Sequence, residues 1–268
     1  MNKVVACIIA RTVSTRLPLK IFRDLREGES MIEFLIDRVK SVDAIDEIYL
    51  CTSKEPVDDI MEDVAKRKNI KLYRGSANQV IERMLMVGEV EDAEIVIRIT
   101  GDNPFTAIDY LPHQINFLRE EQLDYTRLVR VPVGATAEVI RLSALKKCYE
   151  IMDPEVSEYM MLFLFEPKTF KCGIVTLTSE DYSHYSLTVD TPKDLERTRI
   201  YLDKIGGKKA SDITLLELIE IAADQENVQN FDDETPVKMP YDKLITFAEF
   251  KSDMDRRLSD SLKLELNV

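Results

Sequence analysis

The chain has 268 residues, 45% hydrophobic and 32% charged, the composition of a globular protein long enough for one large α/β domain or a domain with an appendage. A net charge of −13 argues against a general nucleic-acid surface, because neutralising phosphates needs an excess of basic residues. Four scattered cysteines (Cys7, Cys51, Cys148, Cys172) without a CxxC pair, and two histidines, argue against a structural zinc site.

In chain order, the first half alternates strand and helix patterns. Strands are predicted over 3–10, 47–52, 70–73 and 94–100, and runs such as Ile95-Val96-Ile97 suit a parallel sheet covered on both faces. Ser30-Met31-Ile32-Glu33 reads as a capping box opening a helix to about Ser41. Pro56 suits the first turn of a helix reaching Lys68, and 77–91 forms a third helical pattern. This βαβαβαβ order predicts a doubly wound, mostly parallel sheet.

The second half is less regular. Strands are expected over 124–128, 170–177 and 184–190, with helices over 143–152 and 156–165. Thr191-Pro192-Lys193-Asp194 opens another helix, with Thr191 as cap and Pro192 at the first position. Beyond a turn at Gly206-Gly207, an amphipathic helix is expected over 213–223, and the tail 241–268 reads as a last helix. The expected organisation is a domain over 1–205, with halves at about 1–105 and 106–205, and a helical extension over 206–268. No run of about twenty apolar residues marks a membrane span, and the amino terminus enters a strand without room for a signal peptide. A cytoplasmic location is expected.

The most informative stretch follows the first strand: Ala10-Arg11-Thr12-Val13-Ser14-Thr15-Arg16-Leu17-Pro18-Leu19-Lys20. Three cations, hydroxyls and free backbone N–H groups at the carboxyl end of a buried strand suit an anion, above all a triphosphate. Gly101-Asp102-Asn103-Pro104 ends the fourth strand, where α/β sheets place ligands, although an Asp in a tight turn has the same appearance. Asp190 ends a later strand pattern, and its alternative role is to favour the helix start beside it. If the two carboxylates meet at the basic loop, they form a Mg²⁺ site completed by phosphate oxygens. Arg74-Gly75-Ser76 and Arg83 stand at a strand-to-helix junction that can approach a base or ribose, or simply turn the chain. Arg98 points at the cleft or is paired elsewhere, and an inward-facing Glu138 would contact a second substrate.

The pattern Ala10-Arg11-x-x-Ser14-Thr15-Arg16-Leu17-Pro18-x-Lys20 resembles the amino-terminal signature of the sugar-acid cytidylyltransferases. The nearer branch is that of spore-coat polysaccharide biosynthesis proteins, and the CMP-Kdo and acylneuraminate synthetases are similar at greater distance. Further matches follow in order: Asp46-Glu47-Ile48, Tyr73-Arg74-Gly75-Ser76, Arg98-Ile-Thr-Gly-Asp102-Asn-Pro104 and Val189-Asp190-Thr-Pro-Lys-Asp194-Leu195. The resemblance implies a Rossmann-like nucleotidyltransferase fold, transfer of CMP from CTP to an acidic sugar or small anionic acceptor, Mg²⁺, surface-glycan precursor synthesis and a homodimer. It implies that Arg11, Arg16 and Lys20 bind triphosphate, with Arg11, Lys20 and Asp102 catalytic. Ala10, Ser14 and Thr15 would line the loop, and Arg74, Gly75, Ser76 and Arg83 the nucleotide pocket. Arg98 and Glu138 would face the acceptor, and Asp102 and Asp190 would hold the metal.

Two departures stand out. Leu19 occupies a position where relatives commonly carry glycine, and 156–163 is apolar where the spore-coat branch usually shows an Arg-Glu-His cluster. Two alternatives are a sugar transferase using a nucleotide-sugar donor, disfavoured by the lack of an Asp-x-Asp motif at Asp102, and a non-catalytic nucleotide-binding subunit.

Overall fold

The computed structural model of the chain describes residues 3–14, 16–225 and 232–268. It opens with β1 (Lys3–Ile9), a small hairpin of β2 (Asp24–Arg26) and β3 (Glu29–Ser30), and α1 (Met31–Lys40). Three βα steps follow through β4 (Glu47–Ser53), α2 (Ile60–Lys68), β5 (Lys71–Gly75), α3 (Val80–Val90), β6 (Ala93–Thr100) and α4 (Leu111–Glu120). The second half contributes β7 (Tyr125–Leu128), β8 (Glu138–Arg141), α5 (Leu142–Ile151), α6 (Met160–Leu164), β9 (Cys172–Thr176), α7 (Pro192–Ile205) and α8 (Leu215–Asp224). Last come β10 (Pro236–Lys238), β11 (Leu244–Thr246), α9 (Phe247–Ser259) and β12 (Leu262–Glu265).

Eight strands form one sheet in the order β12-β9-β7-β8-β6-β1-β4-β5. The β1, β4, β5 and β6 pairings are parallel, and only β8 runs against its neighbours β6 and β7. Strand alternation explains why β1 is apolar throughout. Val4, Ala6 and Ile8 enter one core with α1, α4, α7 and α8, while Val5 and Cys7 enter a second with α3, α5 and α6. The doubly wound α/β architecture expected from the sequence is the one observed, and the Ser30–Glu33 and Thr191–Asp194 capping boxes both form. The four cysteines are free and buried. Among the described residues no helix is long and apolar enough to cross a membrane.

Three expectations are corrected. The segment 184–190 forms no regular strand; a single bridge joins Ser186 to Val133. Helix α4 occupies a stretch without an expected element; Pro112 stands in its first turn, where a missing N–H is harmless. The tail is not one helix. Leu262-Lys263-Leu264-Glu265 alternates with a two-residue period and adds β12 in parallel to β9, at the sheet edge. Ahead of it, α9 braces α6: the Arg257 guanidinium donates to Leu162 O at 2.7 Å and Phe165 O at 2.6 Å, satisfying carbonyls at that helix's end.

At the opposite edge, Glu91 ties together the amino ends of three strands by accepting from Lys3, Tyr49 and Lys71. These hydrogen bonds pull its carboxyl from 4.5 to about 2. A depressed folded pKa gives stability that is present above the unfolded value and lost as the pH falls through the folded one. Glu91→Gln should therefore unfold more easily than the parent at pH 7. The gap in denaturant midpoint should close between about pH 4.5 and about pH 2; a gap constant over that range would remove this ionic tie.

Candidate active site

The basic loop is held on both sides by backbone bonds to neighbouring strands. Ala10 N donates to Cys51 O at 3.1 Å and Gly101 N to Ile9 O at 2.8 Å. A Cβ on Gly101 would lie 2.8 Å from that of Ala10, so only glycine lets the β1 and β6 ends approach this closely. Thr12 anchors the loop from the other direction: its N–H and hydroxyl donate to Asp58 Oδ1 at 2.8 and 2.6 Å. Burial would raise the Asp58 pKa, but bonds from Ser53 and Thr12 prevail and hold it low. Neither Thr12 nor Asp58 stands out in the sequence, because the partners lie 46 positions apart.

Leu19 ends the loop with φ 53°, in the left-handed region that favours glycine. It tolerates this conformation at a cost of about 1–2 kcal/mol. From there the short 3₁₀ turn Lys20–Phe22 delivers Lys20 into the cleft.

Lys20 is the centre of the site. Its ammonium donates to Asp102 Oδ2 at 2.8 Å, Asp190 Oδ1 at 2.9 Å and Val189 O at 3.2 Å. Burial lowers the Lys20 pKa, but the two carboxylates outweigh it and raise the value above 10.5, keeping the side chain charged. Arg16 adds a second cation on Asp190, at 2.8 Å.

The two aspartates meet because the loops that carry them are stitched together. Val189 N donates to Asp102 O at 3.0 Å, and Leu187 N to Val133 O at 2.7 Å. Gly134, with φ 88°, fits between them; a Cβ there would lie 2.7 Å from Thr188 N. Asp190 precedes α7 directly, and its own N–H donates to Asp194 in the capping box.

The remaining residues divide by the face of the sheet they occupy. Arg11 is exposed and donates to Ala77 O at 3.0 Å, spanning from the basic loop to the turn after β5 that carries Ser76. Ser14 Oγ accepts from Leu17 N at 3.4 Å, shaping the loop internally. Thr15 lies outside the described residues. Arg74, expected in the nucleotide pocket, leaves β5 on the opposite face from Gly75. It is bound there by Glu62 at 2.8 Å, Asp59 at 2.6 Å and Ser53 O at 2.9 Å. Strand alternation sends it away from the pocket. Arg83, expected to line the pocket, is fully buried beneath Gly75 and donates to Cys51 O at 3.0 Å. A Cβ on Gly75 would lie 2.6 Å from Arg83 Cγ, so the glycine is required by packing.

On the other side of β6, Arg98 and Glu138 sit opposite each other in the β6–β8 ladder and form an ion pair. Arg98 is thus paired across the sheet. Glu138 also accepts from Tyr125 OH at 2.6 Å and is buried, so both its oxygens are engaged by protein. Expected to contact the second substrate, it instead holds Arg98 and Tyr125. Arg127, opposite Glu138 in the β7–β8 ladder, is a neighbour that the sequence did not reveal.

This arrangement has known counterparts. The cytidylyltransferase family pattern matches residues 5–199. The spore coat polysaccharide biosynthesis protein SpsF of Bacillus subtilis is 28% identical over 229 residues, covering 82% of this chain and 94% of that protein. A solved cytidylyltransferase from Leptospira borgpetersenii superposes with TM-score 0.77 at 27% identity, over 87% of this chain and 99% of that one. The fold is also that of a CMP:2-keto-3-deoxy-manno-octonic acid synthetase solved with CTP, with TM-score 0.58 at 18% identity over 76% of this chain and 99% of that chain. With a cationic loop after the first strand and the family pattern running from β1 into α7, the chain belongs to the cytidylyltransferase family.

Proposed function

We propose that the protein transfers CMP from CTP to an acidic sugar, releasing pyrophosphate in a Mg²⁺-dependent reaction that supplies an activated precursor for a surface glycan. The observation that carries this reading is the Lys20 ammonium bridging Asp102 and Asp190 beside a loop with two further arginines. The names of the relatives support the same direction, since one serves spore-coat polysaccharide synthesis and another makes a CMP-sugar acid.

The donor set fits a hard divalent cation. Asp102 and Asp190 each bring a carboxylate to within 2.9 Å of one positive centre, and their side chains stay 31% and 27% exposed. Among the described residues no group of three or more acidic, His or Cys side chains is arranged to hold a metal ion, so two carboxylates are what the protein would bring. A Mg²⁺ held by Asp102 and Asp190 would complete its shell with phosphate oxygens and water, as that ion does at nucleotides. When bound it would supply charge neutralisation at the α-phosphate and a lowered pKa for a coordinated hydroxyl.

The chain's own groups supply position and charge. In this reading Lys20, Arg11 and Arg16 turn their cations to the polyphosphate through charge-assisted bonds, strongest where pyrophosphate accumulates charge on leaving. An acceptor hydroxyl oxygen attacks the α-phosphorus, the bond to the β-phosphate oxygen breaks, and the hydroxyl proton passes to solvent. Holding both reactants in line is the main contribution asked of the protein. In this reading the base or ribose lies against the turn at Ser76 and Ala77, to which Arg11 is bonded.

Pyrophosphate release from CTP with a panel of sugar acids tests the reading directly; CTP binding without turnover of any acceptor would refute it. Lys20→Ala should weaken CTP binding by about 10- to 100-fold, the loss of one or two charge-assisted bonds, as measured by titration calorimetry. Wild-type affinity in that variant would remove the loop from nucleotide binding. Asp102→Asn should abolish Mg²⁺-stimulated turnover while leaving the melting temperature within a few degrees, and chelation of the wild-type protein should have the same effect on activity. Full activity in either case would exclude this metal site.

A further inference from the structure

Arg127 is an unusual arginine. It lies opposite Glu138 in the β7–β8 ladder, two strands from Arg98, which faces the same Glu138 from β6. Its guanidinium stacks over the Phe165 ring, 5.6 Å from the centroid, but makes no hydrogen bond or ion pair with any described residue. Its Nε is buried without a partner, and so is the Nε of Arg98. Buried guanidinium N–H groups are costly to leave unpaired, so two of them flanking one glutamate on the same sheet face call for an acceptor.

The charges narrow the choice. Glu138 sits between the two guanidinium groups and is saturated by Arg98 and Tyr125. Two cations and one carboxylate leave one positive charge. This matches a monoanion; a phosphate or phosphonate dianion would leave an uncompensated negative charge near Asp102, whose field already reaches Arg98. A guanidinium set over an aromatic ring keeps N–H donors for bidentate binding of a carboxylate.

The location suits the second substrate. Arg98 and Thr100 share a face of β6, one two-residue step of about 7 Å apart, and Asp102 follows the strand end. The cluster therefore lies on the β8–β7 side of the reaction centre, away from the β1, β4 and β5 ends where the basic loop and Gly75 stand. The segment that follows α6 brings Phe165 beneath Arg127 on this side of the sheet.

We propose that Arg127, together with the unpaired edge of Arg98, binds the carboxylate of the acceptor sugar acid, with Glu138 as the positioning group between them. The proposal rests on the cytidylyl-transfer reading above and names its acceptor subsite.

The test compares the full-length wild type with Arg127→Gln and Arg127→Lys, in pyrophosphate release from CTP and Mg²⁺. The acceptors are 3-deoxy-manno-octulosonate, other sugar acids of six to nine carbons, and, for each active acid, its primary amide. Wild type should use the acid and discriminate against the amide. Arg127→Gln should raise the acid's KM by about 10- to 100-fold, the loss of a charged bidentate contact, with kcat and the CTP KM within about twofold. It should also lose the preference for acid over amide, and Arg127→Lys should recover part of both. Because the Arg127 guanidinium makes no hydrogen bond or ion pair and only packs over Phe165, the melting temperature should fall by no more than a few degrees; a purely structural role would instead lower it further and disturb the CTP KM. An unchanged acid KM in Arg127→Gln, or a wild type that turns over amides as well as acids, would overturn the proposal. Absence of pyrophosphate from every acceptor, with CTP bound, would overturn the parent reading and this one with it.

Discussion

One ammonium group between two carboxylates organises this molecule's reactive end. Lys20 is delivered by the loop after β1, Asp102 by the loop after β6, and Asp190 by the chain entering α7. Two carboxylates within 2.9 Å of the same nitrogen repel each other unless a cation stands between them. The position is therefore intrinsically one for a positive charge, and the surrounding geometry serves to keep it so. Gly101 allows the β1 and β6 ends to touch, and Gly134 allows the Asp190 segment to reach the Asp102 loop. These are packing requirements with a chemical consequence.

The two-residue period of β-strands then decides which side chains can take part. On β5, Arg74 and Gly75 are neighbours in sequence and occupy opposite faces; Arg74 is committed to acidic groups on and just before α2, while the face of Gly75 is filled by Arg83 packed against it. The same rule gathers Arg98, Glu138 and Arg127 into one cross-strand row although they come from three strands. The antiparallel insertion of β8 makes that row possible, because it puts the amino end of β8 beside the carboxyl ends of β6 and β7.

The tail bears on the same region. β12 extends the sheet beyond β9, and α9 holds α6 through Arg257 and through Arg256 on Glu166. Phe165, the floor beneath Arg127, directly follows α6 and has its carbonyl capped by Arg257. The carboxy-terminal residues, which lie beyond the matched family pattern ending at residue 199, thus support the β7–β9 side of the sheet.

The amino-acid sequence by itself determined the periodic elements, the capping boxes at Ser30 and Thr191, and the cationic loop with Lys20. All of these depend on residues within a few positions of one another. It also marked Asp102 and Asp190 as strand-end carboxylates, and only the folded chain shows that they share one cation. Arg74 and Arg83 read as pocket residues from their spacing, but strand face and burial assign them elsewhere. Thr12–Asp58, Arg127 and the brace of α9 on α6 left no local signal. Each is a contact between distant segments, made by sheet register and loop packing, and such contacts exist only once the chain has closed on itself.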